Sequence, residues 1–348
     1  MSPYVAYRGH FHLPFYFPGE KLKKVLVNKP IHTVALERLR EEVEVLTPYA
    51  ASRAELLSML PDVHGLILCA GLTMGATEMD LAAQLEVIGR HGAGLDIVDM
   101  VAASQRGIPV VFTPYGPTES TAEHALTLML ATARRLSQLD RAVRVGNFSI
   151  RDRVVGREVE GKALGVVGFG RIGRRLAEMC RDALHMSIYV YDPHVPPQEI
   201  AEWGATCVED LVELAGLVDF LSIHTPLNDE TRHLVNRDVI RAMRPGAILI
   251  NASRGAVVDE AALIEALQDG HLGGAGLDVF DPEPPAPNNP LFQLDQVVLT
   301  PHLASFTDEG RRRMGLTVAE DVLRVLRGEK PMNLANPEVW PRRRIVLS

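Results

Sequence analysis

The sequence predicts an α/β protein built from two doubly wound parallel sheets, and three observations carry that prediction. Short β-type runs alternate with helical patterns in two separate series, the signature of parallel strands connected by helices. At 348 residues the chain exceeds what one ordinary core accommodates, so two units are expected. Near the middle, a Gly-rich turn at Gly168 to Gly173 stands between a strand pattern and a helix pattern.

The first series starts at Lys23 and reads KKVLVN, ALERLREEV, VEVLT, RAELLSML, GLILCA, TEMDLAAQ, LEVIGRHG and PVVFTP. A stretch from about Glu119 to Arg144 has apolar residues at helical spacing throughout, which predicts one long helix bridging two bodies. The second series comprises ALGVVGFG, RIGRRLAEMCRDAL, SIYVYD, DLVELAG, VDFLSIHTPL, NRDVIRAM, GAILINAS, DEAALIEALQDG, GAGLDVF and VVLTPH. After His302 another helical pattern stops at Gly328, with Pro331 beyond. Packed back on the first unit, it makes that unit discontinuous. The opening MSPYVAYRGHFHLPFYFPGE has no regular period and reads as an irregular arm. Between Asp281 and Pro290 the run DPEPPAPNNP is too short for a linker, so its rigidity needs a local cause.

A net charge of −8 argues against a broad nucleic-acid footprint, and Arg342 to Arg344 reads as one short solvated cluster. Cys69, Cys180 and Cys207 are odd in number and lack CxxC spacing, which fits a reducing cytoplasm and no disulfide framework. No metal is implied, because the histidines lack ligand spacing. No apolar run reaches the roughly 18 residues of a spanning helix, and no leader pattern is present, so neither membrane nor export is expected.

The strand ALGVVGFG leads into Gly168-Phe-Gly170-Arg-Ile-Gly173, and Asp192 ends the next strand nineteen residues later. That is a dinucleotide fingerprint in its structural context. Gly168 permits the tight turn, Gly170 lets backbone amides approach a pyrophosphate, and Gly173 allows helix and strand to pack. Asp192 is suited to the ribose hydroxyls and repels a 2′-phosphate, so NAD is expected over NADP. Arg171 is either a pyrophosphate contact or an exposed helix-start cation.

Three further strand ends carry polar side chains: INASRG with Arg254, LDVFDPEPP with Asp278 and Glu283, and LTPHLA with His302. Ligands of a doubly wound sheet bind outside the carboxyl ends of its strands, so these residues can converge. Reducing a 2-oxo acid needs a proton donor and a cation for the carboxylate, while the cofactor supplies hydride. His302 suits the first task, Glu283 can orient it, and Arg254 offers a planar fork. Asp278 either assists cofactor placement or caps its turn.

In order and spacing, GFGRIG, HTPL, INASRG, GLDVFDPEPP and TPHLAS make the chain resemble the D-isomer-specific 2-hydroxy acid dehydrogenases, in particular their phosphoglycerate-dehydrogenase-like members. The resemblance extends from about Lys23 to Asn336 and includes IGRHGAGLDIVD as a substrate-domain loop. It implies a Rossmann NAD-binding domain over residues 118–303, inserted in a flavodoxin-like substrate domain formed by 1–117 and 304–348. Arg254 is implied to bind and polarise the substrate, Glu283 to support the acid, and His302 to be the acid/base. The cofactor contacts implied are Gly168, Gly170, Arg171, Ile172, Gly173, Asp192, His224, Thr225, Pro226, Ala252 and Asp278. The amides around His91, Gly92 and Ala93 are implied to cradle the substrate carboxylate, an anion nest in a Gly-rich loop. A homodimer through the cofactor domain is the family's common form.

Two features depart from a phosphoglycerate dehydrogenase. The chain ends twenty residues after Gly328, which predicts no C-terminal regulatory domain. GLILCAGLT places Cys69 where those enzymes carry an arginine, which predicts a small unphosphorylated 2-oxo acid substrate, with Arg53 and Arg90 as other cations in reach. The rival expectations are an NAD-sensing corepressor-like protein and a formate- or phosphite-type dehydrogenase on the same scaffold.

Overall fold

The computed structural model describes residues 22–345, so the arm expected at the start of the chain lies outside the described residues. Five parallel strands form one sheet: β1 (Lys24–Val27), β2 (Glu44–Leu46), β3 (Gly65–Leu68), β4 (Val87–Arg90) and β5 (Val110–Val111), in the order β2-β1-β3-β4-β5. Seven parallel strands form the other: β6 (Ala163–Val167), β7 (Ser187–Tyr191), β8 (Thr206–Cys207), β9 (Phe220–Ile223), β10 (Ile248–Asn251), β11 (Gly274–Leu277) and β12 (Val297–Leu299), in the order β12-β11-β10-β9-β6-β7-β8. These are the flavodoxin-like and Rossmann orders expected from the sequence, each with a crevice where the winding reverses, at β1/β3 and at β6/β9.

Helices α1 (Thr33–Arg40), α2 (Arg53–Met59), α3 (Ala76–Leu81) and α4 (Met100–Gln105) precede α5 (Thr118–Ala133) and α6 (Leu136–Arg144). Then come α7 (Arg171–Leu184), α8 (Pro197–Trp203), α9 (Leu211–Leu217), α10 (Arg237–Ala242), α11 (Glu260–Gln268) and α12 (Asp308–Leu326). Strands covered on both faces read as apolar runs, and β3, β9 and β10 are buried at every position. Alternation sends Val25 and Val27 of β1 into one core with Ala35, Leu39 and Val318, and Leu26 into another with Leu56 and Met79. The seven-stranded sheet divides likewise, with Leu249 facing Leu214 and Leu263, and Ile250 facing Leu128 and Leu176.

Helix α12 packs on the five-stranded sheet although it follows the seven-stranded one in sequence. A Cβ on Gly89 of β4 would lie 2.6 Å from Val322 Cγ2 and 2.7 Å from Val318 Cγ2, so only glycine lets the helix ride this close. The chain therefore crosses twice between the sheets, around 112–117 and 303–307. The Ser120 and Thr307 hydroxyls hydrogen-bond at 2.8 Å, and Arg313 Nε donates to the Gly116 carbonyl at 3.3 Å, which ties the crossings together.

Three local expectations need correction. The long helix predicted over Glu119 to Arg144 is two, because Arg135 turns left-handed (φ 55°). The returning chain caps the first helix there: Arg157 N–H donates to the Ala133 carbonyl at 2.8 Å. Residues 197–207, given no element by their pattern, form α8 and the edge strand β8, with Pro197 in the first turn where its missing N–H costs nothing. Finally, the arginines at 342–344 are docked as well as solvated. Arg343 lies 4.0 Å over the Trp340 ring, and Arg344 Nη1 donates to the Ala82 carbonyl at 3.1 Å.

Candidate active site

At the β6/β9 crevice, Gly168 takes φ +92°, and a Cβ there would come within 2.9 Å of the His224 carbonyl carbon and Thr225 Cγ2. A Cβ on Gly173 would overlap the Gly168 carbonyl oxygen, whereas one on Gly170, the N-cap of α7, would meet nothing within 4 Å. The turn is thus packed from behind and open at the front. An open helix N-terminus with unhindered backbone is what a pyrophosphate requires. Asp192 accepts N–H bonds from Phe169 (2.7 Å) and His194 (2.8 Å), which holds its carboxylate beside the turn. Thr225 Oγ1 is buried without a partner among the described residues, a polar atom suited to a bound ligand. These features fit a dinucleotide. His224 bonds Ser222 Oγ through Nε2 at 2.8 Å, and burial pushes its pKa down to about 4, so the ring is neutral. Ile172 and Ala252 pack partly buried against the core beneath, and Pro226 is exposed at the mouth. Arg171 is tied to the inter-sheet crossing. Its Nε donates to the Pro114 carbonyl at 3.0 Å in the inter-sheet crossing, and its guanidinium lies 4.8 Å from the Tyr115 ring centroid.

The next strand ends bring Arg254, Glu283 and His302 to the same edge. Asn251, buried at the end of β10, accepts from Ser253 N–H (3.0 Å) and donates to the Arg254 carbonyl (2.8 Å), closing the NASR turn. Glu260 anchors the Pro-rich segment by accepting from Asp281 N–H (3.1 Å) and Asn289 Nδ2 (2.7 Å), the local cause its rigidity required. From there Glu283 Oε1 reaches His302 Nδ1 at 2.5 Å. His302 has a left-handed backbone (φ 52°), an uncommon conformation for a non-glycine residue that its surroundings must impose. Asp278 imposes it. Fully buried, it accepts from Thr300 Oγ1 (2.6 Å), Leu303 N–H (3.0 Å) and Ala304 N–H (2.9 Å), while its own carbonyl accepts from His302 N–H (2.8 Å). Burial would raise its pKa, but His124, Thr300 and the two amides together hold it below the usual carboxylate range. Of the two expected roles for Asp278, this geometry supplies the turn cap.

Across the cleft, the loop after β4 differs from the expected cradle. His91 N–H donates to the Leu68 carbonyl at 3.0 Å, and Gly92 N–H to Thr113 Oγ1 at 2.9 Å, so both amides are already engaged. The loop amides that remain toward Arg254 are those of Ala93 and Gly94, and a Cβ on Gly94 would overlap Arg254 Nη2. Arg90 lies beneath, donating from Nε to the Gly94 carbonyl (2.8 Å) and from Nη1 to the His91 carbonyl (2.8 Å). Those bonds draw the His91 and Gly94 carbonyls toward Arg90 and leave the Ala93 and Gly94 amides without a backbone partner among the described residues. Arg254 itself spans the cleft: Nε and Nη2 donate to Asp96 Oδ1 at 3.1 and 2.7 Å. Cys69 is buried, and desolvation pushes its thiol up to about 11, so it is inert. Arg53 is exposed and paired with Glu78 at 2.5 Å.

Residues 126–304 match the family model "D-isomer specific 2-hydroxyacid dehydrogenase, NAD binding domain", more than half of the chain. The chain belongs to this family. Over 322 residues it is 41% identical to the D-3-phosphoglycerate dehydrogenase of Archaeoglobus fulgidus, covering 91% of this chain and 60% of that one. The glyoxylate reductase of Korarchaeum cryptofilum is 37% identical, with 91% and 96% covered. Among solved structures, a Thermus thermophilus protein superposes with TM-score 0.83 at 41% identity, covering 90% of this chain and 99% of that one. The NADPH-dependent glyoxylate/hydroxypyruvate reductase of Sinorhizobium meliloti, solved with NADP and malonate, gives 0.81 at 33% identity, with 94% and 100% covered. The chain spans about 60% of the length of the phosphoglycerate dehydrogenases it matches. Its seven-stranded unit is accordingly the nicotinamide-dinucleotide domain of a 2-hydroxyacid dehydrogenase fold.

Gly94 and Asp96 are the residues that sequence reading passed over. Both lie inside the loop that the resemblance had singled out, two and four residues beyond Gly92, and neither carries a side-chain motif of its own. The one available signal was the alternation H-G-A-G-L-D, which places two glycines around the loop apex.

Proposed function

We propose that this chain is an enzyme that transfers hydride between a nicotinamide dinucleotide and C2 of a D-2-hydroxy acid or its 2-oxo acid. The observation that carries the proposal is the Glu283–His302 pair at 2.5 Å, at the strand-end edge that also carries Arg254 and the open dinucleotide turn. The dinucleotide supplies hydride in reduction and accepts it in oxidation. The turn of Gly168 and Gly170, backed by Gly173, would hold its pyrophosphate and Asp192 its ribose, while His224, Thr225, Pro226 and Ala252 would line its nicotinamide end. With Nδ1 of His302 committed to Glu283, Nε2 is the atom that gives a proton to the developing C2 alkoxide, and takes it back in oxidation. Arg254 and the amides of Ala93 and Gly94 grip the carboxylate from two sides, which orients C2. Glu283 orients the ring through its bond to Nδ1.

The same reading takes the cofactor as NAD, from the carboxylate of Asp192, and the substrate as a small unphosphorylated acid such as glyoxylate or hydroxypyruvate. Buried Cys69 offers no charge to a phosphate. We take the units as 1–117 with 304–348, and 118–303. The active form is a homodimer: α6 buries none of its residues, and Val145 and Val155 beside it are 81% and 85% exposed, an apolar arm suited to a second copy. The three free cysteines support reading the protein as cytoplasmic.

The test is a panel of 2-oxo acids, including 3-phosphohydroxypyruvate, with NADH and with NADPH, followed at the nicotinamide absorbance band. Turnover of hydroxypyruvate or glyoxylate with NADH is expected. A strong preference for the phosphorylated acid overturns the substrate assignment, and tight NADH binding without turnover of any acid favours the cofactor-sensing alternative.

A further inference from the structure

We infer that Asp96 is a positioning residue for this chemistry: it fixes the guanidinium of Arg254 across the cleft so that one edge remains for the substrate carboxylate. The inference rests on the function proposed above. Asp96 stands in the loop after β4 and Arg254 in the loop after β10, so their contact joins one sheet to the other at the cleft. Both Nε (3.1 Å) and Nη2 (2.7 Å) converge on the single oxygen Oδ1, which closes the side edge of the guanidinium. Nη1 donates to the Ser253 carbonyl at 2.7 Å. A guanidinium has five N–H donors, so one remains on each Nη, and those two form the fork that meets a carboxylate.

The neighbouring backbone makes the placement strict. Gly94 lies so close that a Cβ there would overlap Nη2 and would come 2.8 Å from Asp96 Oδ1. The guanidinium is therefore pressed against the loop whose amides complete the carboxylate grip. Burial opposes charge on Asp96, but its hydrogen bonds and attraction to Arg254, with Arg90 nearby, hold the pKa below the usual carboxylate range, so it stays an anion. That charge has a second consequence. It offsets the charge of Arg254 and repels an incoming carboxylate, so orientation is gained at some expense in ground-state affinity.

Orientation and charge separate in two variants. In Asp96→Asn the amide oxygen accepts at the same place without the charge, whereas Asp96→Ala removes both. We would measure kcat and KM for the preferred 2-oxo acid with NADH, and the calorimetric Kd of oxalate, a non-reducible carboxylate, on the NADH-loaded protein. Asp96→Asn is expected to keep kcat within about threefold while KM and the oxalate Kd fall about fivefold, the effect of removing a like charge a few ångströms away. Asp96→Ala is expected to lower kcat about 10²-fold, the cost of a misplaced catalytic partner. A residue that merely held the fold would raise KM in both variants and lower kcat equally in both; that result overturns the inference, as does wild-type behaviour in both. Should Asp96→Ala fail to fold, the fall or constancy of KM and oxalate Kd in Asp96→Asn decides the matter alone. A wild-type protein that reduces no 2-oxo acid defeats the proposed function instead; active wild type with unaltered variants defeats only this inference.

Discussion

The two walls of the cleft are built from different material. On the seven-stranded side the proposed functional groups are side chains: Arg254, Glu283 and His302, delivered by three loops and locked by Asn251, Glu260 and Asp278. The five-stranded side offers backbone: the amides of Ala93 and Gly94, shaped from below by Arg90. A side-chain wall is disabled by deleting one group. The amides of a backbone wall are blocked by adding a group, because their function depends on space left empty.

Deleting His302 tests the first wall and carries the largest expected effect. His302→Ala should lower kcat in reduction by about 10² to 10⁴, the usual range for a lost general acid, with NADH affinity nearly unchanged because the ring serves the substrate. Steady-state kinetics alongside a fluorescence titration of NADH measures both. Wild-type turnover in the variant would remove His302 from the mechanism.

Adding a methyl group tests the second wall. In Gly94→Ala the new Cβ would overlap Arg254 Nη2, the far end of a flexible side chain, so the protein should fold while its guanidinium is pushed out of place. The expected result is a loss of about 10² in kcat/KM, in line with a misplacement near 1 Å, and a melting temperature within a few degrees of wild type. Unchanged kinetics would mean that Arg254 works without contact to this loop.

The contrast between the walls also accounts for what the sequence revealed. Side-chain chemistry writes itself as residue types at fixed places, so Arg254, Glu283 and His302 could be read from three strand ends; the alternating series implied parallel sheets, and the family resemblance implied their two strand orders. Backbone chemistry leaves weaker traces. Which amides in H-G-A-G-L-D stay available depends on Leu68 and Thr113, which accept from His91 and Gly92 and lie far away in sequence. The same holds for the break at Arg135: no Gly or Pro marks it, and it forms where a distant N–H, that of Arg157, takes the last carbonyl of α5. Arg171 adds a tertiary contact of the same kind: its Nε donates to the Pro114 carbonyl in the crossing between sheets, which no local pattern announces.

Asp192 offers a milder test within the side-chain wall. Its two oxygens accept from Phe169 and His194 amides, so the carboxylate is held beside the turn. Asp192→Ala should lower kcat/KM with NADH and raise it with NADPH, narrowing the ratio by about tenfold through loss of ribose contacts and of repulsion toward a 2′-phosphate. Equal use of both cofactors by the unaltered protein would mean that the charge at Asp192 does not discriminate.

The smallest expected effect compares the walls by their response to acid. Each contains a histidine kept neutral: His91 in the loop after β4 and His224 after β9, both lowered from an ordinary 6.5 to about 4. Burial is the first cause in both, and for His91 the nearby Arg90 adds repulsion. A pKa lower in the folded state means that the unfolded chain binds the proton first. Stability is then complete above about pH 6.5 and lost as pH falls toward 4, by about 1 kcal/mol per histidine at pH 5.5. His91 is the cleaner probe, since its Nε2 is buried without a partner among the described residues and its replacement sacrifices no hydrogen bond there. His91→Leu should therefore reduce, by about 1 kcal/mol, the difference in unfolding free energy between pH 7 and pH 5.5 in urea titrations. In His224→Leu the same pH-dependent gain should come with a loss at every pH, because the bond to Ser222 is removed. If His91→Leu retained the full acid sensitivity of wild type, the loop would have to open and hydrate before the protein unfolds, and the backbone wall would be less rigid than its hydrogen bonds imply.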